Sequence, residues 1–220
     1  MKILGIDEAG RGPVVGPLVI CGACFEEGQA SELKKLGVKD SKLVTPAKRK
    51  GLFQKIIDLS VSHKLEIVSA QEIDSRASVS LNLNELEALK AAQIIDELKP
   101  DVVFVDSPTS PDATKFEKMI RKHLKNQEVD IHAEWKADFN HPECSAASIL
   151  AKVTRDEEIE KIKKEVGEDF GSGYAADPIT IEFVKAHWEN TLAKYIRKSW
   201  GTIKQLEKAK GQKTLDGFER

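Results

Sequence analysis

The segment that most constrains the fold is residues 101–106, which read D-V-V-F-V-D. Its four consecutive apolar residues indicate a strand that is covered on both faces, as in a sheet with helices on either side. Residues 84–98, just before it, carry apolar side chains at helical spacing, and Pro100 prevents that helix from continuing. A helix followed at once by a fully buried strand is typical of layered α/β folds.

Short apolar runs predict four further strands, at residues 2–7, 18–25, 65–70 and 129–133. Capping residues and helical spacing predict three further helices, at residues 45–59, 113–125 and 144–166. The first two strands are separated by a loop rich in glycine and proline, which predicts a hairpin. Because the later strands alternate with helices, we expect an α/β domain with a mixed five-stranded sheet.

Three regions are expected along the chain. Residues 1–168 are predicted to form the core, residues 169–209 a helical C-terminal extension, and residues 210–220 a tail. The chain after the long helix is predicted to be helical except for residues 171–178, where glycines cluster. Nothing in the sequence demands more than a monomer.

The composition of the 220-residue chain excludes several classes of protein. Hydrophobic residues make up 40% and charged residues 32%, which excludes disordered and fibrous chains. No run approaches the roughly 18 apolar residues of a membrane span. Three cysteines cannot build a disulfide scaffold, and Cys21 and Cys24 are interpreted as buried strand thiols. We therefore expect a cytoplasmic protein with no membrane partner.

The net charge of −2 hides an uneven distribution. Residues 185–213 hold eight Lys and Arg residues against two Glu, a net charge of +6, with Trp188, Tyr195 and Trp200 among them. Such a stretch can follow a phosphate backbone. It can equally be a pair of solvated helices whose aromatic side chains face the core. The sequence leaves both interpretations open.

Carboxylates stand at or beside the ends of three predicted strands, namely Asp7, Glu8, Asp106 and Asp138. A single aspartate there is often only a turn former or a helix cap. Four acids that converge from different elements repel one another, which raises their pKa values unless a cation compensates. Hard oxygen ligands favour Mg²⁺ or Mn²⁺, and two such ions suit the displacement of a phosphoryl group.

The loop after Asp7 and Glu8 reads A-G-R-G-P at residues 9–13. Glycine allows a backbone amide to approach a ligand closely because it has no Cβ. Arg11 can form charge-assisted hydrogen bonds to a phosphate. The alternative is a tight turn that needs glycine only for its backbone conformation.

Six sequence blocks occur in an order that resembles a known family. The first, at residues 5–18, reads G-I-D-E-A-G-R-G-P-V-V-G-P-L. The others are D-S-K at 40–42, V-D-S at 105–107, K-A-D at 136–138, S-A-A-S-I-L-A-K-V-T-R-D at 145–156 and G-S-G-Y at 171–174. Together they are similar to type 2 ribonuclease H, the ribonuclease HII family, in its archaeal-like single-chain form. The resemblance covers roughly residues 1–200.

The resemblance implies a ribonuclease-H-like fold, in which helices flank a mixed five-stranded sheet and a helical extension follows. It also implies an endonuclease that acts on RNA hybridised to DNA, including single ribonucleotides within duplex DNA. The cut would fall on the 5′ side of the ribonucleotide, leaving 3′-hydroxyl and 5′-phosphate ends. The metal-binding and catalytic acids of the family correspond to Asp7, Glu8, Asp106 and Asp138. They would bind Mg²⁺ or Mn²⁺, with two ions in the catalytic complex.

The same resemblance implies residues that contact the substrate. Gly10, Arg11 and Gly12 would contact the 2′-hydroxyl through their backbone, and Tyr174 would sense that hydroxyl and stack on the next sugar. Lys42 resembles a lysine beside the phosphate. The alternatives are a surface packing role for Tyr174 and an ordinary exposed side chain for Lys42.

The tail contains Gln212, Leu215 and Phe218 at a spacing that resembles the motif by which replication enzymes dock on a sliding clamp. The usual second aromatic is missing, because Glu219 follows Phe218. A frayed polar tail is the alternative. For the whole chain, another ribonuclease-H-like nuclease and a non-catalytic module that binds hybrids or a clamp also stay open.

Overall fold

The computed structural model describes residues 1–38, 44–109 and 111–216. Within these residues a single sheet is formed by five strands, β1 (Lys2–Ala9), β2 (Leu18–Glu26), β3 (Ser62–Val68), β4 (Val102–Asp106) and β5 (Asp130–Glu134). Their order across the sheet is β3-β2-β1-β4-β5. Strand β2 runs antiparallel to both β1 and β3, whereas β1, β4 and β5 run parallel to one another. The predicted mixed five-stranded sheet is confirmed.

Helices cover both faces of the sheet. They are α1 (Ala30–Leu36), α2 (Pro46–Leu59), α3 (Ala70–Ser75), α4 (Leu83–Leu98), α5 (Thr114–Arg121), α6 (Ala137–Asn140), α7 (Pro142–Val166), α8 (Pro178–His187) and α9 (Gly201–Asp216). Helix α2 begins as predicted, because the side chain of Thr45 accepts a hydrogen bond from the Lys48 amide. Helix α9 crosses residue 210, where the tail was expected to begin.

The prediction was wrong at three boundaries. Strand β3 was expected at residues 65–70 but ends at Val68, because Ser69 caps helix α3. Helix α5 stops at Arg121, short of the expected residue 125, and the amide of Lys125 instead donates to the carboxylate of Asp96. Residues 188–200 form turns rather than helix, and Ile196 pairs there with Val15.

Helix α7 lies against β1 at the centre of the molecule. A Cβ on Gly5 would lie 2.1 Å from the backbone carbon of Glu143, so only glycine allows this close approach. Small residues on α7, among them Ala146 and Ala147, are fully buried against the sheet. This packing fixes the height of α7 and thereby brings Ser148 and Lys152 to the carboxyl end of β1.

Three hydrophobic clusters form the core. Two lie on the two faces of the sheet. The third lies beneath the loop after β1 and joins Val14 and Val15 to the C-terminal extension, residues 169–209. Trp188, Tyr195 and Trp200 pack against this third cluster, so the aromatic residues of the basic stretch face the core.

Two smaller expectations concern thiols and membranes. Cys21, Cys24 and Cys144 are free and buried, as predicted for the two strand cysteines. Burial raises the pKa of the Cys21 thiol well above its usual range, so the thiol is unreactive. Across the described ranges no helix has the length and apolar content needed to cross a bilayer.

Candidate active site

The predicted acids lie at one end of the sheet, and we call Asp7, Glu8, Asp106 and Asp138 the acidic edge. Parallel pairing sets Ile6 opposite Val105, so Asp7 and Asp106, the next residues, leave neighbouring strands at the same level. The Asp106 carboxylate accepts a hydrogen bond of 2.8 Å from the amide of Ala137, the residue before Asp138. Asp138 is buried, with 4% of its surface exposed.

Asp7 lies in a strongly perturbed electrostatic environment. Burial, together with the charge of Asp106, raises the pKa of Asp7 to about 7. A hydrogen bond from Ser148 and the positive charge of Lys152 act in the opposite direction. The amide of Glu8 also donates to the Asp7 carboxylate at 2.7 Å. Asp7 is therefore held in place but carries a proton near neutral pH.

Glu8 lies among further acids. Burial and the charges of Glu87, Asp7 and Asp106 raise the pKa of Glu8 well above its usual range, and Arg11 partly offsets this. Glu87 comes from helix α4 and is itself buried, which raises its pKa to about 7 despite the ion pair with Arg11. One oxygen of Glu87, Oε1, is buried without a hydrogen-bond partner.

The donors of the acidic edge suit a hard divalent cation. The charge of Asp106 raises the pKa of Asp7, and the charges of both raise the pKa of Glu8. A cation would relieve that repulsion. Carboxylate oxygens without thiolates are the ligands of Mg²⁺ and Mn²⁺. Among the residues that the structure describes, no three Asp, Glu, His or Cys side chains are arranged as ready ligands of one ion. The acidic edge nevertheless offers the carboxylate oxygens that such an ion prefers as ligands.

The loop that follows β1, which we call the glycine loop (residues 10–12), is held from both sides. Gly10 has a φ of +87°, and a Cβ there would lie 2.7 Å from the Pro17 carbonyl oxygen. The guanidinium of Arg11 bonds to Glu87 and Asn84 on helix α4. The expected contact of Arg11 with a phosphate stays a prediction, because protein groups already bind this side chain.

Tyr174 lies beside the glycine loop. A Cβ on Gly12 would lie 3.6 Å from the Tyr174 ring, an ordinary van der Waals distance, so the ring lies directly beside the loop. The Arg155 guanidinium lies 5.0 Å from the centroid of the Tyr174 ring, so the ring has a positive charge beside it. Tyr174 is 39% exposed, and its ring is therefore accessible to a ligand.

These groups share one cleft of about 500 Å³. Its walls include Glu8, the glycine loop and Tyr174, together with three cations, Arg49, Lys152 and Arg155. A cleft that is lined by cations and by an acid of the acidic edge can bind a phosphodiester backbone and place it beside that edge.

Several site residues were not predicted from the sequence. Glu87, Asn84 and Arg197 carry no motif that would have revealed them, and Ser148 lies in the block at residues 145–156 but was not singled out as a site residue. The one available signal was an acid at residue 87 within the apolar stripe of a helix. His141, the residue before helix α7, is also held in place, because its ring stacks on Phe104 and bonds to Glu134.

Other predicted residues fall outside the described part of the chain. Lys42 and Phe218 lie outside the described residues. Gln212 is exposed on helix α9, and Leu215 belongs to the same helix.

Comparisons with known proteins show which family the chain resembles. A family model described as ribonuclease HII matches residues 4–203. Ribonuclease HII of Pyrococcus furiosus is 45% identical over 99% of this chain and 98% of its own length. The crystal structure of ribonuclease H2 from Pyrococcus horikoshii superposes with a TM-score of 0.84 at 42% identity, covering 95% of this chain and 98% of that one. A structure of the PCNA:RNase HII complex from Archaeoglobus fulgidus gives 0.81 at 37% identity, covering 91% and 95%.

Proposed function

The chain belongs to the ribonuclease HII family and is a ribonuclease H, and we propose that it cleaves duplex DNA on the 5′ side of embedded ribonucleotides as well as the RNA strand of RNA/DNA hybrids. The products would be a 3′-hydroxyl and a 5′-phosphate. This activity would serve RNA primer removal in replication and the excision of misincorporated ribonucleotides. The observation that carries the proposal is the cleft in which Glu8 of the acidic edge lies beside the glycine loop and Tyr174.

The acidic edge would bind Mg²⁺ or Mn²⁺, two ions by the resemblance, through Asp7, Glu8, Asp106 and Asp138. Bound divalent ions supply an activated water and neutralise charge on the leaving oxygen in phosphodiester hydrolysis. Asp7 is buried beside Asp106, so its carboxylate loses its proton readily only when positive charge is near. Ser148 and Lys152 favour the charged form of Asp7 and orient it.

The rest of the cleft would bind the substrate. Arg49, Lys152 and Arg155, which line the same cleft as Glu8, offer positive charge to the phosphates. The glycine loop and Tyr174 would contact the ribose, because the 2′-hydroxyl is the group that distinguishes RNA from DNA. A site built to bond that hydroxyl rejects deoxyribose, since its polar groups would then be left unpaired.

The test uses a labelled DNA duplex with one ribonucleotide, beside an all-DNA duplex of the same sequence. Each is incubated with the protein in Mg²⁺, Mn²⁺ or EDTA. We expect a nick 5′ of the ribonucleotide that needs a divalent ion and is absent from the all-DNA duplex. Cutting of both duplexes would refute sugar recognition and favour another ribonuclease-H-like nuclease. Binding of the ribonucleotide duplex without cutting under any ion would favour a non-catalytic module.

Docking on a sliding clamp is proposed as a second function of the tail. The solved complex of PCNA with the Archaeoglobus fulgidus relative supports it, as does the spacing of Gln212, Leu215 and Phe218. Helix α9 runs through residue 212, which provides the helical turn that such a peptide presents.

Calorimetry of the full chain with archaeal PCNA tests the tail. Phe218→Ala should weaken binding at least about tenfold, because it removes the apolar plug. Glu219→Phe, which restores the second aromatic, should tighten it. Equal binding by the wild type and Phe218→Ala would contradict the proposal.

A further inference from the structure

Arg197 belongs to the C-terminal extension, and its side chain is fully buried against the glycine loop. Its Nη2 donates to the Gly10 carbonyl at 2.6 Å, its Nη1 to the Arg11 carbonyl at 2.9 Å, and its Nε to the Gly16 carbonyl at 3.0 Å. No carboxylate of the described residues forms an ion pair with it. Backbone carbonyls are therefore its hydrogen-bond acceptors.

Burying this cation is costly. Burial and the nearby charge of Arg155 lower the pKa of Arg197 to about 9. A neutral donor would satisfy a carbonyl at smaller cost, and the molecule uses one close by, since the indole Nε1 of Trp200 donates to the Gly12 carbonyl at 3.2 Å. The carbonyls of Gly10, Arg11 and Gly16 thus receive hydrogen bonds from a charged donor, and the carbonyl of Gly12 receives one from a neutral donor.

The covalent structure of the loop explains this choice. The carbonyl of Gly10 shares a peptide group with the amide of Arg11, and the carbonyl of Arg11 shares one with the amide of Gly12. A charged donor on a carbonyl oxygen draws electrons from its peptide nitrogen and makes the N–H a stronger donor. The carbonyl of Gly12 is joined to Pro13, which has no N–H, and this carbonyl receives the neutral indole.

The two polarised amides point to a ligand. Among the described residues, neither Arg11 nor Gly12 donates its amide to a protein acceptor. Both residues line the cleft beside Tyr174. Their N–H groups are therefore available to an oxygen of a bound molecule.

We propose that Arg197 is a positioning residue for sugar recognition, which holds and polarises the peptide groups of the glycine loop so that the Arg11 and Gly12 amides donate to a ribose 2′-hydroxyl. This inference rests on the proposed function and adds a residue to it. Asp74 supports the arrangement from helix α3, because its carboxylate accepts hydrogen bonds from the amides of Lys198 and Ser199.

The test compares the wild type with Arg197→Lys, which keeps the positive charge but has one donor nitrogen in place of the three that contact the Gly10, Arg11 and Gly16 carbonyls. Dissociation constants are measured in EDTA for a duplex with one ribonucleotide and for the matching all-DNA duplex. We expect the preference for the ribonucleotide duplex to fall about tenfold in Arg197→Lys, the value of roughly one charge-assisted hydrogen bond. Affinity for the all-DNA duplex should stay within about twofold.

Arg76→Lys is the matched control. Arg76 lies over the same Trp200 ring but donates to the Ile73 carbonyl and to Ser199, away from the glycine loop. It should keep the wild-type preference. Thermal unfolding of each variant shows whether it is folded at the assay temperature.

A spectroscopic measurement on the wild type keeps the inference testable if Arg197→Lys does not fold. The ¹⁵N–¹H signals of Arg11 and Gly12 should shift with the ribonucleotide duplex and stay in place with the all-DNA duplex. Equal shifts with both, or an unchanged preference in folded Arg197→Lys, would overturn the inference. A wild type that neither cuts nor prefers the ribonucleotide duplex would instead overturn the proposed function.

Discussion

The acidic edge and the glycine loop are adjacent, yet the protein treats their charges in opposite ways. At the acidic edge, like charges lie together in a buried place, and their repulsion raises the pKa values of Asp7 and Glu8. At the glycine loop the two arginines have protein partners. Arg11 is paired with Glu87, and Arg197 from the C-terminal extension donates to the loop carbonyls.

The acidic edge therefore needs a cation from solution, whereas the glycine loop is already held by contacts within the protein. Lys152 and Arg11 offset only part of the repulsion at Asp7 and Glu8, so the acidic edge would gain most from a bound cation. The glycine loop has its carbonyls satisfied from the C-terminal extension, while its Arg11 and Gly12 amides have no protein acceptor among the described residues. Substitutions in the two regions should therefore fail in different ways, one by losing chemistry and the other by losing discrimination.

The largest expected effect is on hydrolysis in Asp7→Asn. Losing this carboxylate should lower the rate by about 1,000-fold or more, because it removes an oxygen donor and a negative charge at the metal site. Binding of the duplex in EDTA should change little. Single-turnover cleavage in Mg²⁺ measures the first effect and fluorescence anisotropy the second. Asp101→Asn, at the far end of β4, is the control, and a comparable loss there would undo the distinction.

The same variant tests the charge deficit through pH. The folded pKa of Asp7 is about 7 against an ordinary value of 3.8, so between these pH values the folded protein holds a proton that the unfolded chain has lost. Stability from this group is complete below pH 4 and is lost as pH rises through 7. In EDTA, Asp7→Asn should therefore match the wild type near pH 4 and exceed it at pH 8 by up to about 4 kcal/mol. Thermal or urea unfolding at both pH values would show this, and a gain that is equal at pH 4 and pH 8 would contradict it.

Tyr174→Ala tests discrimination. The loss of a ring beside the sugar should lower kcat/KM at a single ribonucleotide by about 30-fold, in the range measured for stacking contacts. The affinity for all-DNA duplex should fall much less. Tyr174→Phe separates the ring from the hydroxyl, since it keeps the stacking surface. If Tyr174→Ala lowers cleavage and affinity equally, Tyr174 has no sugar-reading role.

A smaller effect is expected for Glu87→Gln, which replaces the charged partner of Arg11 with a neutral one. Burial raises the pKa of Glu87 to about 7 even beside Arg11, so its ionised form is disfavoured in the folded protein, and the unfolding free energy of Glu87→Gln should exceed that of the wild type at pH 8 by up to about 3 kcal/mol. Cleavage should fall about fivefold as the loop loosens. Glu97→Gln, on the exposed side of the same helix, should change neither. An unaffected Glu87→Gln would mean that the loop does not depend on this pair.

The position of the acids could be predicted from the sequence because it depends on local pattern. An apolar run that ends in an aspartate identifies a strand end, and neighbouring parallel strands end at the same side of the sheet. Asp7 and Asp106 therefore had to lie close together once both strands were recognised. The error at β3 was local as well, since the cap at Ser69 competes with the strand for the same residues.

The partners of the buried arginines could not be predicted in this way. Glu87 binds a residue 76 positions away, and Arg197 reaches carbonyls 186 and 187 positions away. In the sequence Arg197 looks like one more cation in a basic stretch, and Trp200 like one more aromatic. Only packing of the extension onto the third core cluster turns both side chains toward the loop.

The sequence by itself determined the sheet, the acids at its edge and the glycines after β1, because periodicity, chain stiffness and charge repulsion act over a few residues. The tertiary structure alone decided which charges are neutralised within the protein and which are left for a ligand. The physical reason is burial, since a charge acquires its cost and its partner only when distant segments exclude water around it.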